Sequence, residues 1–390
     1  PRIHDRSLRA STKPAGVPQF FREGNFNPDG TFTLAFADTG TWDFLALDGS
    51  PAAGKIQSIV DRNGNALMFA YGAGGRLMTI TDTLHRQIQV GYDGTGHIST
   101  LTDYAGRQVK YSYYQSGDAG GSEGDLKSAT TPAVVGTPNG NDFPEGKTTT
   151  YTYSKGFADA DLNHNLLSIT DPKGQAWLVN TYASATDPRA LLFDRLVKQE
   201  RGGPTDSFEL VYVPLFPKRV EDTSPEVMRV IANDPVGNVR EYFYDAANRL
   251  VKQREFTGRA DPSIPTTAST NRPTNPLRGD DPAYFERRWS YNADSQVIQI
   301  VHPNGNLTER VHELDLDPQA SWRSRGNLRE IHRLPGTHVP VGDQASLSEY
   351  FEYETGFGGC CGTNFVSEHT DARGSVTMHL YDSSGNRLRT

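Results

Sequence analysis

"VDRNGNALMFAYGAGGRLMTITDTLHRQIQVGYDGTGHISTLTDYAGRQVKYSYY" runs from Val60 to Tyr114, and an aspartate returns in it every 21 residues, at Asp61, Asp82 and Asp103. Tyrosine keeps the same step ten residues behind each aspartate, at Tyr71, Tyr92 and Tyr113. Three residues after each aspartate stands a glycine or another turn-former: Gly64, His85 and Gly106. A fixed period of this length marks a repeat architecture.

The segments between aspartate and tyrosine alternate. In "RQIQVGY" Ile88, Val90 and Tyr92 share one face and Gln87 and Gln89 the other, the pattern of a half-buried strand. "ALMFAY" and "RQVKYSY" place Leu67, Phe69 and Tyr71, then Val109, Tyr111 and Tyr113, in the same way. After each tyrosine come turn signals such as "YGAGG" and "YDGTG", in which glycine supplies positive φ. A shorter apolar pair precedes each aspartate: Ile56 and Ile59, Leu77 and Ile80, Ile98 and Leu101. The unit therefore reads as strand, D-x-x-G turn, longer strand, second turn: a tandem β-hairpin. The fold class that follows is all-β.

Looser copies lie downstream. Asp171 and Gly174 are followed by Tyr182, one position late; Asp234, Gly237 and Tyr244 restore the step; Asp371, Gly374 and Tyr381 close the series. At "HPNGNLTERVHE" His302 and His312 stand where aspartate and tyrosine are expected. "YDAANRLV" and "YDSSGNRL", each behind a D-x-x-G turn, resemble the YD repeats of the RHS-repeat family, which includes bacterial polymorphic toxins, the shell subunits of insecticidal toxin complexes and the teneurins. The resemblance covers residues 56–390 with interruptions, and residues 1–55 resemble the strand-rich lead-in of bacterial members. It implies a spiralling, curved β-sheet, closed as a hollow shell or drawn out like a solenoid. In RHS toxins a D-P-x-G element belongs to an autoproteolytic aspartate site near the end of the shell. Asp171-Pro172 and Asp234-Pro235 sit in ordinary repeat phase and lack the rest of that signature.

Three segments break the phase: residues 116–150, the proline-rich residues 258–282, and residues 314–348, in which "RGNLREIHRL" still alternates. Proline cannot donate to a central ladder, so these read as insertions on loops. The 390 residues carry a net charge of −8, which argues against a nucleic-acid partner. No run of about 18 apolar residues is present, so no membrane span is read. The start "PRIHDRSLRA" has no signal-peptide pattern and reads as part of something longer.

Candidate chemistry is sparse. One carboxylate per turn lacks the spacing of a calcium loop, and an aspartate that opens a turn is accounted for by the backbone N–H groups it accepts. The tyrosines read as a ladder between hairpins. Cys360 and Cys361 stand among glycines, either as two free thiols or as a vicinal disulfide; no C-x-x-C or zinc spacing accompanies them. His302 with His312, or His332 with His338, would bind zinc only with further carboxylates. No catalytic, cofactor or metal site is assigned, and the chain is not read as an enzyme. Stacked hairpins need their edges covered, which implies continuation of the same chain or copies of it. The expectation is a secreted or cell-surface structural module. Its first reading is a segment of bacterial toxin shell around a C-terminal cargo; its second is an adhesion scaffold touching carbohydrate or another cell. A hydrolase with carboxylates converging on one face is the weakest reading.

Overall fold

A computed structural model describes residues 22–36, 39–216, 224–261, 264, 271–273, 275–321, 324–336, 345–354, 364–382 and 385–390. The chain divides into two compact units. The larger is built from residues 24–34 and 40–288, the smaller mainly from residues 289–390.

Within the larger unit each strand pairs antiparallel with the next along the chain. The series opens with Thr41–Phe44, Ile56–Val60, Ala66–Tyr71, Leu77–Thr81, Gln87–Tyr92, Ile98–Thr102 and Gln108–Tyr113. It continues through Leu126–Thr130, Thr148–Tyr153, Leu166–Thr170, Ala176–Tyr182, Leu196–Arg201 and Ser207–Pro214. Met228–Asn233, Asn238–Tyr244 and Leu250–Arg259 follow, the last pairing with Tyr284–Tyr291. The smaller unit repeats the arrangement through Val297–Val301, Leu307–His312, Leu328–Leu334, Leu347–Tyr353, Val366–Thr370 and Val376–Met378. Helix is confined to the short turns Ala160–Leu162 and Glu313–Leu316 among the described residues. The protein is all-β and made of tandem hairpins.

Register follows the period-2 pattern, because a slip by one residue would turn every side chain over. Ile59 faces Leu67, Phe69 faces Ile80, Ile80 faces Ile88, and Val90 faces Leu101, which faces Val109. The opposite face carries amides and hydroxyls in equally strict rows. Thr79, Gln89, Thr102 and Gln108 form one, and Thr100, Lys110, Thr130 and Thr148 another. Ser112 and Ser128 bond across strands at 2.7 Å, and Thr152 and Ser168 at 2.6 Å.

The structure adds to the sequence reading in three places. Leu126–Thr130 lies inside the stretch read as an insertion, yet it pairs on both sides; its lone Leu126 and Ala129 are too weak an apolar pair to stand out. Tyr182 is late because one residue, Trp177, is squeezed out where the pairing shifts between Ile169–Leu178 and Thr170–Ala176. The strands Leu196–Arg201 and Ser207–Pro214 join the series through a turn that lacks the D-x-x-G signal.

Burial is uneven. Strands of the regular repeats are half-exposed, while Val230, Ile231, Val239, Phe243 and Val251 are under 9% exposed. Val230 and Ile231 point to opposite faces, so the sheet is covered on both sides there. Part of the cover is the strap at Asn271–Pro273 and Asn275. A Cβ at Gly258 would press on the Asn275 carbonyl and the Pro273 ring.

Two glycines with positive φ separate conformational from steric demands. Gly106 (φ 79°) faces open space, whereas a Cβ at Gly75 (φ 73°) would meet the Pro51 carbonyl and the Lys55 ammonium. Gly106→Ala should cost about 1 kcal/mol, from left-handed backbone alone. Gly75→Ala should lower the urea midpoint by clearly more. Equal midpoints for the two variants would contradict the close approach at Gly75.

Candidate functional site

The repeat aspartates close one end of each hairpin. Asp61 Oδ1 accepts the N–H groups of Asn63 and Asn65, both at 2.8 Å, and Oδ2 accepts Asn65 Nδ2 at 2.7 Å. Asp82 does the same for Leu84 and Arg86, and Asp103 for Ala105 and Arg107, with the arginine Nε on Oδ2. Asp171, Asp234 and Asp371 follow the pattern, so both D-P-x-G segments are ordinary turns. The turn also ties its own backbone: Asp61 N–H donates to Asn65 O, and Gly64 N–H to Asp61 O. The fourth residue must then be left-handed, which Gly64, Gly106, Gly174, Gly237 and Gly374 supply cheaply and His85, Asn248 and Ser295 supply elsewhere.

The tyrosines close the other end. Tyr71 OH donates to Ile56 O, Tyr92 OH to Leu77 O, Tyr113 OH to Ile98 O and Tyr381 OH to Val366 O, at 2.7–2.8 Å and each 15 residues back. In each pair the acceptor is the first residue of the strand that opens the hairpin. Tyr212 to Leu196 and Tyr353 to Leu328 repeat the rule across longer loops. In the hairpin ending at Tyr182 the donor is Asn180, whose Nδ2 reaches Leu166 O at 3.0 Å. Opposite one tyrosine after another the following strand carries one extra residue: Met78 at Tyr71, Ser99 at Tyr92, Val251 at Tyr244 and Ser367 at Tyr353. Such a bulge re-aims one side chain. The same bulge, with Arg329 as the extra residue, lies opposite His312 in the tyrosine's place; His312 is 8% exposed, and burial holds its pKa below the ordinary histidine value.

Three of the repeat tyrosines are covered by a residue of the preceding turn: Lys55 over Tyr71 at 5.6 Å, Arg76 over Tyr92 at 5.3 Å, and His97 stacked on Tyr113 at 4.6 Å. Positions 55, 76 and 97 are 21 apart, so this cover is a further periodic feature that the aspartate and tyrosine pattern did not disclose.

One cluster outside the repeat concentrates charge. Glu241 is 1% exposed and faces Arg229 and Arg254, each at 3.7 Å, and Arg272 of the strap. Arg254 also reaches Glu286 at 2.7 Å and lies over the rings of Phe243 and Tyr284. Burial lowers the Arg229 pKa. Burial opposes the charge of Arg254 too, but its hydrogen bond and attraction to Glu286 carry the pKa above the usual value. Register explains the gathering. Ile231 faces Glu241, Glu241 faces Arg254 and Arg254 faces Glu286, so one row across four strands ends in alternating charge.

Among the described residues no group of three or more His, Cys, Asp and Glu side chains could hold a metal ion. His302 bonds to Thr308 at 2.9 Å, and His332 to Ser348 and Glu330. His338, Cys360 and Cys361 lie outside the described residues. Among the described residues no helix is long and apolar enough to cross a membrane.

No family model and no curated protein matches the chain. Among solved structures it is similar to a chain of the TcdB2-TccC3-Cdc42 crystal structure, with 12% identity and a TM-score of 0.44. That match covers 94% of this chain and 18% of the other. A chain of TcdB2-TccC3 without its hypervariable C-terminal region matches at 10% identity and a TM-score of 0.38, covering 94% and 15%. A porin-like protein from Bacteroides uniformis matches at 13% identity and a TM-score of 0.18, covering 84% and 92%. The chain thus spans less than a fifth of the toxin-complex chains it matches.

Two predictions follow from the closures. Tyr113→Phe removes the bond to Ile98 O and should cost about 1 kcal/mol in urea unfolding; Tyr104→Phe, at a 62% exposed ring, should cost less. The second concerns acid. Side-chain hydrogen bonds from Asn65, Arg86, Thr95 and Arg107 foremost hold Asp61, Asp82, Asp93 and Asp103 below the ordinary carboxylate range. Carboxyls with depressed folded pKa values stabilise fully above the unfolded value of about 3.9 and lose that contribution as pH falls through the folded values. Urea midpoints should therefore fall below about pH 4, and Asp103→Asn should flatten the fall. An unchanged slope in that variant would remove Asp103 from the linkage.

Proposed function

We propose that this chain is a stretch of wall in a secreted bacterial RHS-repeat shell, enclosing or presenting a C-terminal toxin domain. The observation that carries the reading is the two-ended closure of each hairpin. The D-x-x-G aspartate and the returning tyrosine, the residues that resemble YD repeats, serve as its two fasteners. The regular units bury one face only, so each is stable through its neighbours, and stability accumulates along the series. A wall needs this property and needs no chemistry of its own. In this reading the residues that do chemistry belong to the cargo, and the chain's own partners are further repeats.

A second reading, an extracellular adhesion or scaffold module, draws support from the polar face. The rows of Thr, Ser and Gln across the strands from Leu77–Thr81 to Leu166–Thr170 present hydroxyls and amides at regular spacing, a surface suited to carbohydrate.

Limited proteolysis of the full-length secreted protein separates the two. A wall predicts that peptides C-terminal to these repeats resist protease until denaturant opens the repeats, then become cleavable together. Cleavage of those peptides at once, with the repeats still intact, would reject enclosure. Retention of the intact protein on a glycan array would then favour the adhesion module.

A further inference from the structure

The smaller unit carries a hydrogen-bonded chain of side chains that the hairpin ties do not use. His332 Nδ1 lies 2.9 Å from Ser348 Oγ, and His332 Nε2 lies 2.8 Å from Glu330 Oε2. Register places all three. His332 and Ser348 are directly opposite across the paired strands Leu328–Leu334 and Leu347–Tyr353. Glu330 stands two residues before His332 and therefore on the same face of the sheet. Elsewhere a cross-strand hydroxyl meets another hydroxyl, as Ser112 meets Ser128 and Thr152 meets Ser168. Here a serine meets an imidazole with a carboxylate on its far side. The His332 and Glu330 side chains are 23% and 30% exposed, so a reagent reaches them from solvent.

The three groups fix the direction of each bond. A carboxylate only accepts, so Nε2 carries the imidazole proton and Nδ1 presents a lone pair. Ser348 then donates its hydroxyl proton to Nδ1. This is the order of nucleophile, general base and positioning carboxylate. We propose that Ser348 is a nucleophile for acyl transfer from carboxylic esters presented to this face. Ser348 Oγ adds to the ester carbonyl while its proton passes to His332 Nδ1. The carbonyl carbon's bond to the alkoxy oxygen then breaks, and the alcohol leaves with that proton. Water, giving a proton to the same nitrogen, cleaves the acyl-serine to the free acid and restores Ser348. Glu330 holds the ring and stabilises the imidazolium. Glu309 of the preceding strand faces His332 and adds a second negative charge, while the Tyr350 ring stands edge-on at 6.1 Å. A wall asks for no such chemistry, and the site stands or falls separately from that reading.

A fluorophosphonate probe on the full chain tests the nucleophile. Ser348 Oγ would form the P–O bond, fluoride would leave, and peptide mapping would locate the adduct. Ser348 should be labelled well ahead of Ser128, whose partner is the Ser112 hydroxyl. His332→Gln should slow labelling by at least about 100-fold, the low end of what a general base supplies. The labelling rate should rise with pH as the imidazole loses its proton, then level off. In Glu330→Gln the plateau should fall and the profile should move to lower pH, because the imidazolium has lost its partner. A Glu330 that only props the strand would leave the midpoint of that profile in place. p-Nitrophenyl acetate should be hydrolysed beyond one equivalent by the unsubstituted chain and not by Ser348→Ala. Labelling of Ser348 no faster than Ser128, read on the unsubstituted chain without any variant, would overturn the nucleophile. Undiminished labelling in a folded His332→Gln would overturn the base, and a single burst of nitrophenolate without turnover would overturn the hydrolytic step.

Discussion

A β-hairpin with one apolar face has two weak points, its turn and its open end, and in this protein both are tied by a side chain. At the turn a single carboxylate oxygen gathers two backbone N–H groups, from the second and fourth residues after the aspartate. At the open end a tyrosine hydroxyl donates to the first carbonyl of the opening strand. Isolated two-stranded hairpins are marginal in water; fastened ones stacked edge to edge need only a thin apolar face. The period of 21 is the chain length needed to make both ties and start the next unit.

Where the tyrosine is replaced, the tie survives in other forms. Asn180 reaches the Leu166 carbonyl in place of Tyr182. Tyr353 reaches across 25 residues to Leu328, because the loop between them has grown while the strand start stayed put. The constraint acts on the strand's first carbonyl and not on sequence separation, which is why the phase breaks without breaking the sheet.

The strands Met228–Asn233 and Asn238–Tyr244 obey a different balance. There the sheet is covered on both faces, and the strap brings Arg272 onto a glutamate that the row register has already placed beside two arginines. Buried ion pairs seldom stabilise more than an apolar core of the same volume would. Their usual return is specificity, and here the charge row and the strap hold each other in one arrangement. Aromatic rings of Phe243 and Tyr284 flank Arg254, so even the apolar part of this region serves to position charge.

The hairpin character, the all-β class and the turn role of Asp61, Asp82 and Asp103 were legible in the sequence, because they rest on local rules: alternation, and a carboxylate within reach of its own following amides. The carbonyl partner of each tyrosine, the bulge in the strand that follows and the side chain that covers the ring were not legible. Each depends on which backbone atom lies across the sheet, and the letters of one strand do not carry that. The strand Leu126–Thr130 was hidden for the same reason, since its place is set by the neighbours that pair with it. Glu241, Arg229 and Arg272 lie at separations of 12 and 31 residues with no motif between them. Only register and the path of the strap bring them together, since local sequence dictates turns and alternation while long-range pairing decides which charges meet.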